Sequence, residues 1–147
     1  MASFGAQATG CNPVSTAWAE GNEVVRPVKP DTIAKSLAIG NPADGPYALD
    51  AVRRTSGAIG DVTDAEVVEG IRLLAECEGI FGETSGGVTV AVTRKLLAQG
   101  LLDPTAETVI VNTGEGLKTL DAVATGNGFS ATISPNVESV AKVIEGA

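Results

Sequence analysis

The chain has 147 residues, 44% of them hydrophobic and 19% charged, with 18 glycines and a net charge of −8. That is enough for one domain with a sizeable core, and acid surplus without a Lys/Arg cluster argues against nucleic acid or an anionic membrane as partner. Histidine is absent, which removes His-based triads and His metal sites, and no metal site is expected; Cys11 and Cys77 form neither a C-x-x-C pair nor a disulfide framework. No secretion signal follows Met1 and no apolar run is long enough to cross a bilayer, so a cytoplasmic protein is expected.

Short apolar runs alternate with amphipathic ones, the pattern of β-α units around a parallel sheet, and no internal repeat interrupts it. Phe4 to Ala8 predicts a first strand, followed by the loop Thr9 to Pro13 and a short helix carrying Val14, Ala17 and Trp18, with Trp18 in a packing role. Val24-Val25 is a brief extension. Pro27 and Pro30 then bracket a connector that ends at Asp31 or Thr32 as a helix cap, and Ile33 to Ile39 predicts about two helical turns. Gly40 to Pro46 is a loop of breakers. Pro46 suits the opening of a helix through Tyr47, Leu49, Ala51 and Val52, closed by Ser56-Gly57.

Ile59 to Val62 predicts a second strand, and Thr63-Asp64-Ala65-Glu66 reads as a capping box. The helix behind it places Val67, Val68, Ile71, Leu74 and Ala75 on one face, leaves Glu69, Arg72 and Glu76 to solvent, and stops at Gly79. Ile80-Phe81-Gly82 is extended. Glu83-Thr84-Ser85-Gly86-Gly87 then leads into a helix holding Val90, Ala91, Arg94, Lys95, Leu96 and Leu97 and ending at Gly100. Such a turn offers free amides to an anion or an electron-rich oxygen, and it serves equally as an ordinary helix start with Thr84 or Ser85 as cap. Glu83 either complements the helix dipole or faces a substrate.

After the turn at Asp103-Pro104, Thr108 to Val111 reads as a buried parallel strand that stops at Thr113-Gly114-Glu115-Gly116. Ligands of open α/β sheets sit outside the carboxyl ends of the strands, so Thr113 is a candidate site residue, against the plainer reading of a glycine turn. Leu117 to Val123 is a loop or helical turn, Gly126-Asn127-Gly128 a break, Ala131 to Ile133 an edge strand, and Pro135 to Ile144 a final short helix.

Three separated segments together resemble one family. They are Gly5-Ala6-Gln7-Ala8-Thr9-Gly10-Cys11-Asn12-Pro13, then Asp31 to Ala43 with its Ile39-Gly40-Asn41-Pro42-Ala43, and finally Gly79-Ile80-Phe81 and Glu83 to Gly87 with Asn112 to Lys118. In that order and spacing they look like the C-terminal part of threonine synthase, a family of pyridoxal-phosphate enzymes of the tryptophan-synthase β-subunit fold type. The resemblance runs from about Phe4 to Val123. It implies a three-layer α-β-α domain with a mostly parallel sheet, part of the larger domain of a fold-type II enzyme, in a chain that is a single domain over 1–147. It implies pyridoxal 5'-phosphate as cofactor, O-phosphohomoserine as the small-molecule substrate, threonine and phosphate as products, and a homodimer as the complete enzyme.

By the same resemblance, Thr113 approaches the pyridine nitrogen, Ile39 and Gly40 lie against the cofactor ring, Gly114 completes the cofactor contacts, and Glu83, Thr84 and Ser85 stand near the substrate. A neutral hydroxyl cannot stabilise a pyridinium as an aspartate would, which tempers the ring as an electron sink. Thr84 stands where relatives carry proline, and Glu115 where many carry histidine; an acid would repel a nearby phosphate, so the Glu115 side chain is not expected to face one. The Schiff-base lysine, the asparagine loop and the glycine-rich phosphate loop belong upstream of Phe4. No catalytic residue is therefore assigned, and the chain is expected to be a fragment, inactive until the N-terminal portion of the same enzyme completes it. A threonine or serine dehydratase fragment, or a non-catalytic α/β ligand-binding module, are the competing readings.

Overall fold

A computed structural model describes residues 1–124 and 132–145. Its centre is a parallel pair of strands, β1 (Gly5–Ala8) and β2 (Ile59–Val62), in the register Gly5 with Ile59 through Ala8 with Val62. Alternation along each strand sends side chains to two faces. Ile59 packs with Val14 and Ala17 of helix α1 (Pro13–Ala19) and with Leu49 and Val52 of helix α2 (Gly45–Arg54). Ala6, Ala8 and Val62 join the larger core of Val67, Ile71, Val88, Val92 and Leu96, which belongs to helices α3 (Asp64–Glu78) and α4 (Thr84–Ala98). Helices thus cover both faces of the sheet, the expected three-layer α/β arrangement. Trp18 touches both cores, so its role is packing, as its place in the sequence suggests.

Local chemistry explains where the helices start and stop. Thr63 Oγ1 accepts from the Glu66 amide at 3.3 Å while Glu66 Oε2 accepts from the Thr63 amide at 2.7 Å, the reciprocal box that the sequence predicts. Gly79 closes α3 at φ 68°. In α1 the cap comes from elsewhere: Gln7 Oε1 of β1 accepts from the amides of Val14 and Ser15 at 2.9 and 2.8 Å. Asn12, at the cap position, instead donates to Asp61 Oδ2 at 2.8 Å.

The contact between α3 and α4 depends on glycine. A Cβ at Gly87 would sit 2.5 Å from the Val67 carbonyl oxygen, and one at Gly70 would collide with the Gly87 carbonyl. The two backbones approach that closely because neither residue has a side chain there.

Three elements differ from expectation. Only Lys35–Leu37 of the predicted helix from Ile33 to Ile39 is helical, and that is a single 3-10 turn. The amides that would start the helix are taken by side chains, Ala34 N–H by Thr32 Oγ1 at 3.1 Å and Ile33 N–H by Asp64 Oδ2 at 3.1 Å, which favours a local turn over propagation. Thr108 to Val111 is not a buried strand: it has no β-partner among the described residues, and Val109 and Val111 are 79% and 64% exposed. β-branched composition makes a segment suitable for a sheet, but only an adjacent strand makes it one.

The third is the predicted edge strand: Ala131 lies outside the described residues, and Thr132 and Ile133 are not in a strand. Gly126-Asn127-Gly128 also lies outside them. The final helix is present as α5 (Val137–Glu145), with no buried residue, and Gly116–Ala122 forms a 3-10 segment broken at Thr119. Among the described residues no helix is long and apolar enough to cross a membrane.

Candidate functional site

The carboxyl ends of β1 and β2 open onto two anchored segments. Beyond β1, the Thr9 amide donates to the Val62 carbonyl at 2.7 Å, and the Gly10 carbonyl accepts from the Asp31 amide at 2.8 Å. Beyond β2, Asp64 receives Thr32 Oγ1 at 2.5 Å on one oxygen and the Ile33 amide on the other. The connector that leads to Ile39 is thus fastened to both strand ends. Asp64 was not singled out from sequence beyond its place in the capping box, because its partners lie about thirty residues away in the chain.

The second segment is the start of α4, where Glu83, Thr84 and Ser85 are all buried. The Glu83 amide donates to the Gly114 carbonyl at 3.1 Å and the Gly116 amide to the Phe81 carbonyl at 2.8 Å, so residues 81–83 and 114–116 run together as a short antiparallel clasp. Inside it, Glu83 Oε1 occupies the space that a side chain on residue 114 would need. Gly114 is glycine for that reason: the carboxylate closes directly on its backbone. Lys118 Nζ stands 3.9 Å from the same oxygen, and the Glu83 side chain is only 7% exposed. The Glu83 carboxylate is turned into its own loop.

Thr113 then meets Ser85, with their hydroxyl oxygens 3.2 Å apart. Two residues singled out from separate segments are therefore neighbours. Thr113 is on the surface and Ser85 is buried beneath it. Thr84 uses what a proline lacks: its amide donates to Thr119 Oγ1 at 3.1 Å, a third tie between α4 and the loop. Its own hydroxyl is enclosed and is the one buried side-chain oxygen without a hydrogen-bond partner among the described residues. Glu115 accepts the Leu117 amide at 3.3 Å and caps its own turn.

Ile39 and Gly40 are not hydrogen-bonded to Thr113 or Ser85. Gly40 bonds instead to the Val28 amide at 2.9 Å, and Ile39 remains 60% exposed. An ion pair links the two segments, Lys35 Nζ to Asp121 Oδ2 at 3.0 Å, and joins the turn before Ile39 to the turn after Thr113. The Lys35 ammonium, by hydrogen bond and charge, holds the Asp121 carboxyl below its ordinary range. Neither residue could be found from sequence pattern, since a surface Lys and Asp 86 positions apart carry no local signal.

A separate polar node ties α1 to β2. Asp61 accepts Ser15 Oγ at 2.5 Å and Asn12 Nδ2, and Lys95 Nζ reaches the Asp61 carbonyl at 2.6 Å. Partial burial pushes the Asp61 carboxyl up, but the hydrogen bonds from Ser15 and Asn12 and the Lys95 charge outweigh it and hold the carboxyl below the usual value.

The sequence profile of the family described as pyridoxal-phosphate dependent enzyme matches residues 2–114. The chain belongs to that family. Among curated relatives, a threonine synthase of Methanocaldococcus jannaschii is 42% identical over 119 residues, covering 80% of this chain and 29% of the relative. Threonine synthases of Halalkalibacterium halodurans (36%, 80% and 32% covered) and Synechocystis sp. (38%, 96% and 35% covered) are also similar. The chain spans about a third of the length of the curated relatives it matches. The solved structure of maize serine racemase overlaps 60% of this chain and 26% of that one, with TM-score 0.48 and 22% identity.

The donor set suits the family's cofactor at one end. An exposed hydroxyl backed by a second one can face a heteroaromatic nitrogen. Lys35, Lys95, Lys118 and Lys142 are each paired with a carboxylate, and Lys29 is exposed on the connector.

Proposed function

We propose that this chain is the C-terminal part of the cofactor domain of a threonine synthase, which converts O-phosphohomoserine and water to threonine and phosphate. The observation that carries the reading is the meeting of Ser85 with Thr113 at the buried start of α4. In it, the two parts of the third segment of the threonine-synthase resemblance come together, and similarity to three threonine synthases supports the choice within the family. The cofactor, when bound, supplies an electron sink for the substrate's carbon skeleton.

Each residue of this chain then has a physical task. Thr113 offers its hydroxyl to the pyridine nitrogen, and Gly114 keeps the backbone behind it flush with Glu83. Ile39 sets the plane of the ring with a branched apolar face, and Gly40 lets the main chain pass close by. Glu83, Thr84 and Ser85 form the substrate-side wall at the positive end of α4; the Glu83 carboxylate acts there through the loop it braces.

The covalent attachment of the cofactor falls to a lysine in the N-terminal portion of the same enzyme, so the chain by itself is inactive. The complete enzyme works as a homodimer in the cytoplasm.

The test is complementation. The chain alone, and the chain co-expressed with the N-terminal portion of a threonine synthase, are mixed with pyridoxal phosphate and supplied with O-phosphohomoserine. The expected result is a visible absorbance band and phosphate release only in the complemented sample. Release of ammonia and a 2-oxo acid from threonine or serine, without phosphate release, indicates the dehydratase. No band in either sample indicates a free-standing ligand-binding module.

A further inference from the structure

We propose that the cleft between α3 and α4 binds a small zwitterion, an α-amino acid with a short apolar side chain. Its ammonium lies against the carboxylates of α3 and its carboxylate against the cations of α4. The cleft shares no residue with the Ser85–Thr113 site.

Each helix supplies one stripe at the spacing of helical neighbours. On α3 the stripe is Glu66, Glu69, Gly70 and Leu73, and on α4 it is Ala91, Arg94, Lys95 and Ala98. Both acids thus stand on one wall and both bases on the other. The floor between them is hollow because Gly70 has no side chain and Ala91 only a methyl; a Cβ at residue 70 would lie 3.2 Å from that methyl. The space measures about 240 Å³, below the roughly 300–1,000 Å³ of sites for drug-sized ligands, so its occupant is small.

Two of the four charges are already fixed in place. Lys95 Nζ donates to the Asp61 carbonyl at 2.6 Å, and Glu66 Oε2 accepts from the Thr63 amide and hydroxyl at 2.7 and 2.9 Å. Those Thr63 bonds, with a further contribution from the Lys95 charge, hold the Glu66 carboxyl below its ordinary range, so it is negative at neutral pH. The other two charges are available. Arg94 Nη1 and Glu69 Oε2 are 4.0 Å apart, too far for a hydrogen bond, and among the described residues neither side chain makes one. The guanidinium can therefore take a carboxylate with two parallel bonds while Glu69 accepts from an ammonium. A simple anion would face two carboxylates, and a simple cation would face Arg94 and Lys95; like charges brought together in this way reject both. A ligand with no net charge and two separated ends satisfies both walls. The methyl-lined floor takes its side chain.

The plainer role of these charges is to hold the two helices together. Arg94 and Glu69 are 69% and 66% exposed in their side chains, and an exposed pair of this length adds little to stability. Binding and stability therefore separate the two roles.

The test is a titration of the nitrogen-15-labelled chain, followed by amide NMR, with L-alanine as probe and acetate, methylammonium and inorganic phosphate as controls. L-Alanine is expected to give saturable shifts confined to residues 66–73 and 91–98, half-complete on the order of 1–10 mM. Acetate and methylammonium, each with one end only, are expected to bind at least about tenfold more weakly, and phosphate not to saturate these residues. Arg94→Gln and Glu69→Gln are each expected to weaken L-alanine at least about tenfold with the Tm unchanged. No saturable shift at these residues overturns the proposal. Acetate or phosphate binding as well as L-alanine overturns the dipolar reading, and wild-type binding by Arg94→Gln with a lowered Tm shows that the pair only joins the helices.

Discussion

Gly114→Ala tests the clasp at the start of α4 most directly. The new methyl would occupy the position of Glu83 Oε1, so either the loop lifts or the buried carboxylate is expelled. Both routes strain the bond from the Glu83 amide to the Gly114 carbonyl, now 3.1 Å, and the approach of Lys118. Overpacking of this kind costs about 1–3 kcal/mol. For a domain of this size each kcal/mol lowers Tm by roughly 3 °C, so a fall of roughly 3–9 °C is expected by circular dichroism. Glu83→Ala removes the carboxylate and clears the space. The double variant should therefore be no less stable than Glu83→Ala alone, with an apparent coupling of about 1 kcal/mol or more in favour of the pair. If the two losses add instead, Glu83 and Gly114 do not share that space and the steric account of the clasp is wrong.

Gly87→Val forces α3 and α4 apart against the Val67 carbonyl and is expected to cost at least about 3 kcal/mol, broadening the thermal transition; an unchanged melt would refute the close approach of these helices. Asp61 has a folded pKa below its unfolded value, so its contribution is present above the unfolded pKa of about 3.9 and is lost as pH falls through the folded value. Asp61→Asn should therefore lower stability at neutral pH and flatten the acid limb of a Tm-against-pH curve, whereas a parallel curve displaced downwards would show that the node does not titrate. Val109→Lys with Val111→Lys is expected to leave Tm unchanged, because both side chains already face solvent; a large loss of Tm would show that they are packed.

The elements legible in the sequence were those set by neighbours along the chain. The capping box at Thr63, the amphipathic face of Val67 and Ile71, the breaker loop before Pro46 and the strand Ile59 to Val62 each carry their cause within a few residues. The candidate site was legible as residue types, Thr113 after a glycine-bounded run and Glu83 to Ser85 before a helix. Their contact was not legible, since pairing a serine with a threonine 28 positions away depends on how two loops pack. The helix from Ile33 to Ile39 failed for a related reason: an aspartate from α3 claims the amide that would have started it.

Sequence by itself determined composition class, the capped start and glycine stop of α3, the α/β alternation and the family resemblance, because these follow from local propensity, periodicity and ordered motifs. Tertiary structure alone decided that Glu83 braces Gly114, that Thr84 uses its amide on Thr119, that Lys35 and Asp121 join the two site segments, and that Thr108 to Val111 has no strand beside it among the described residues. The physical reason is range. Hydrogen bonds and steric exclusion act over a few ångströms in space, and chain separation places no limit on which residues come that close.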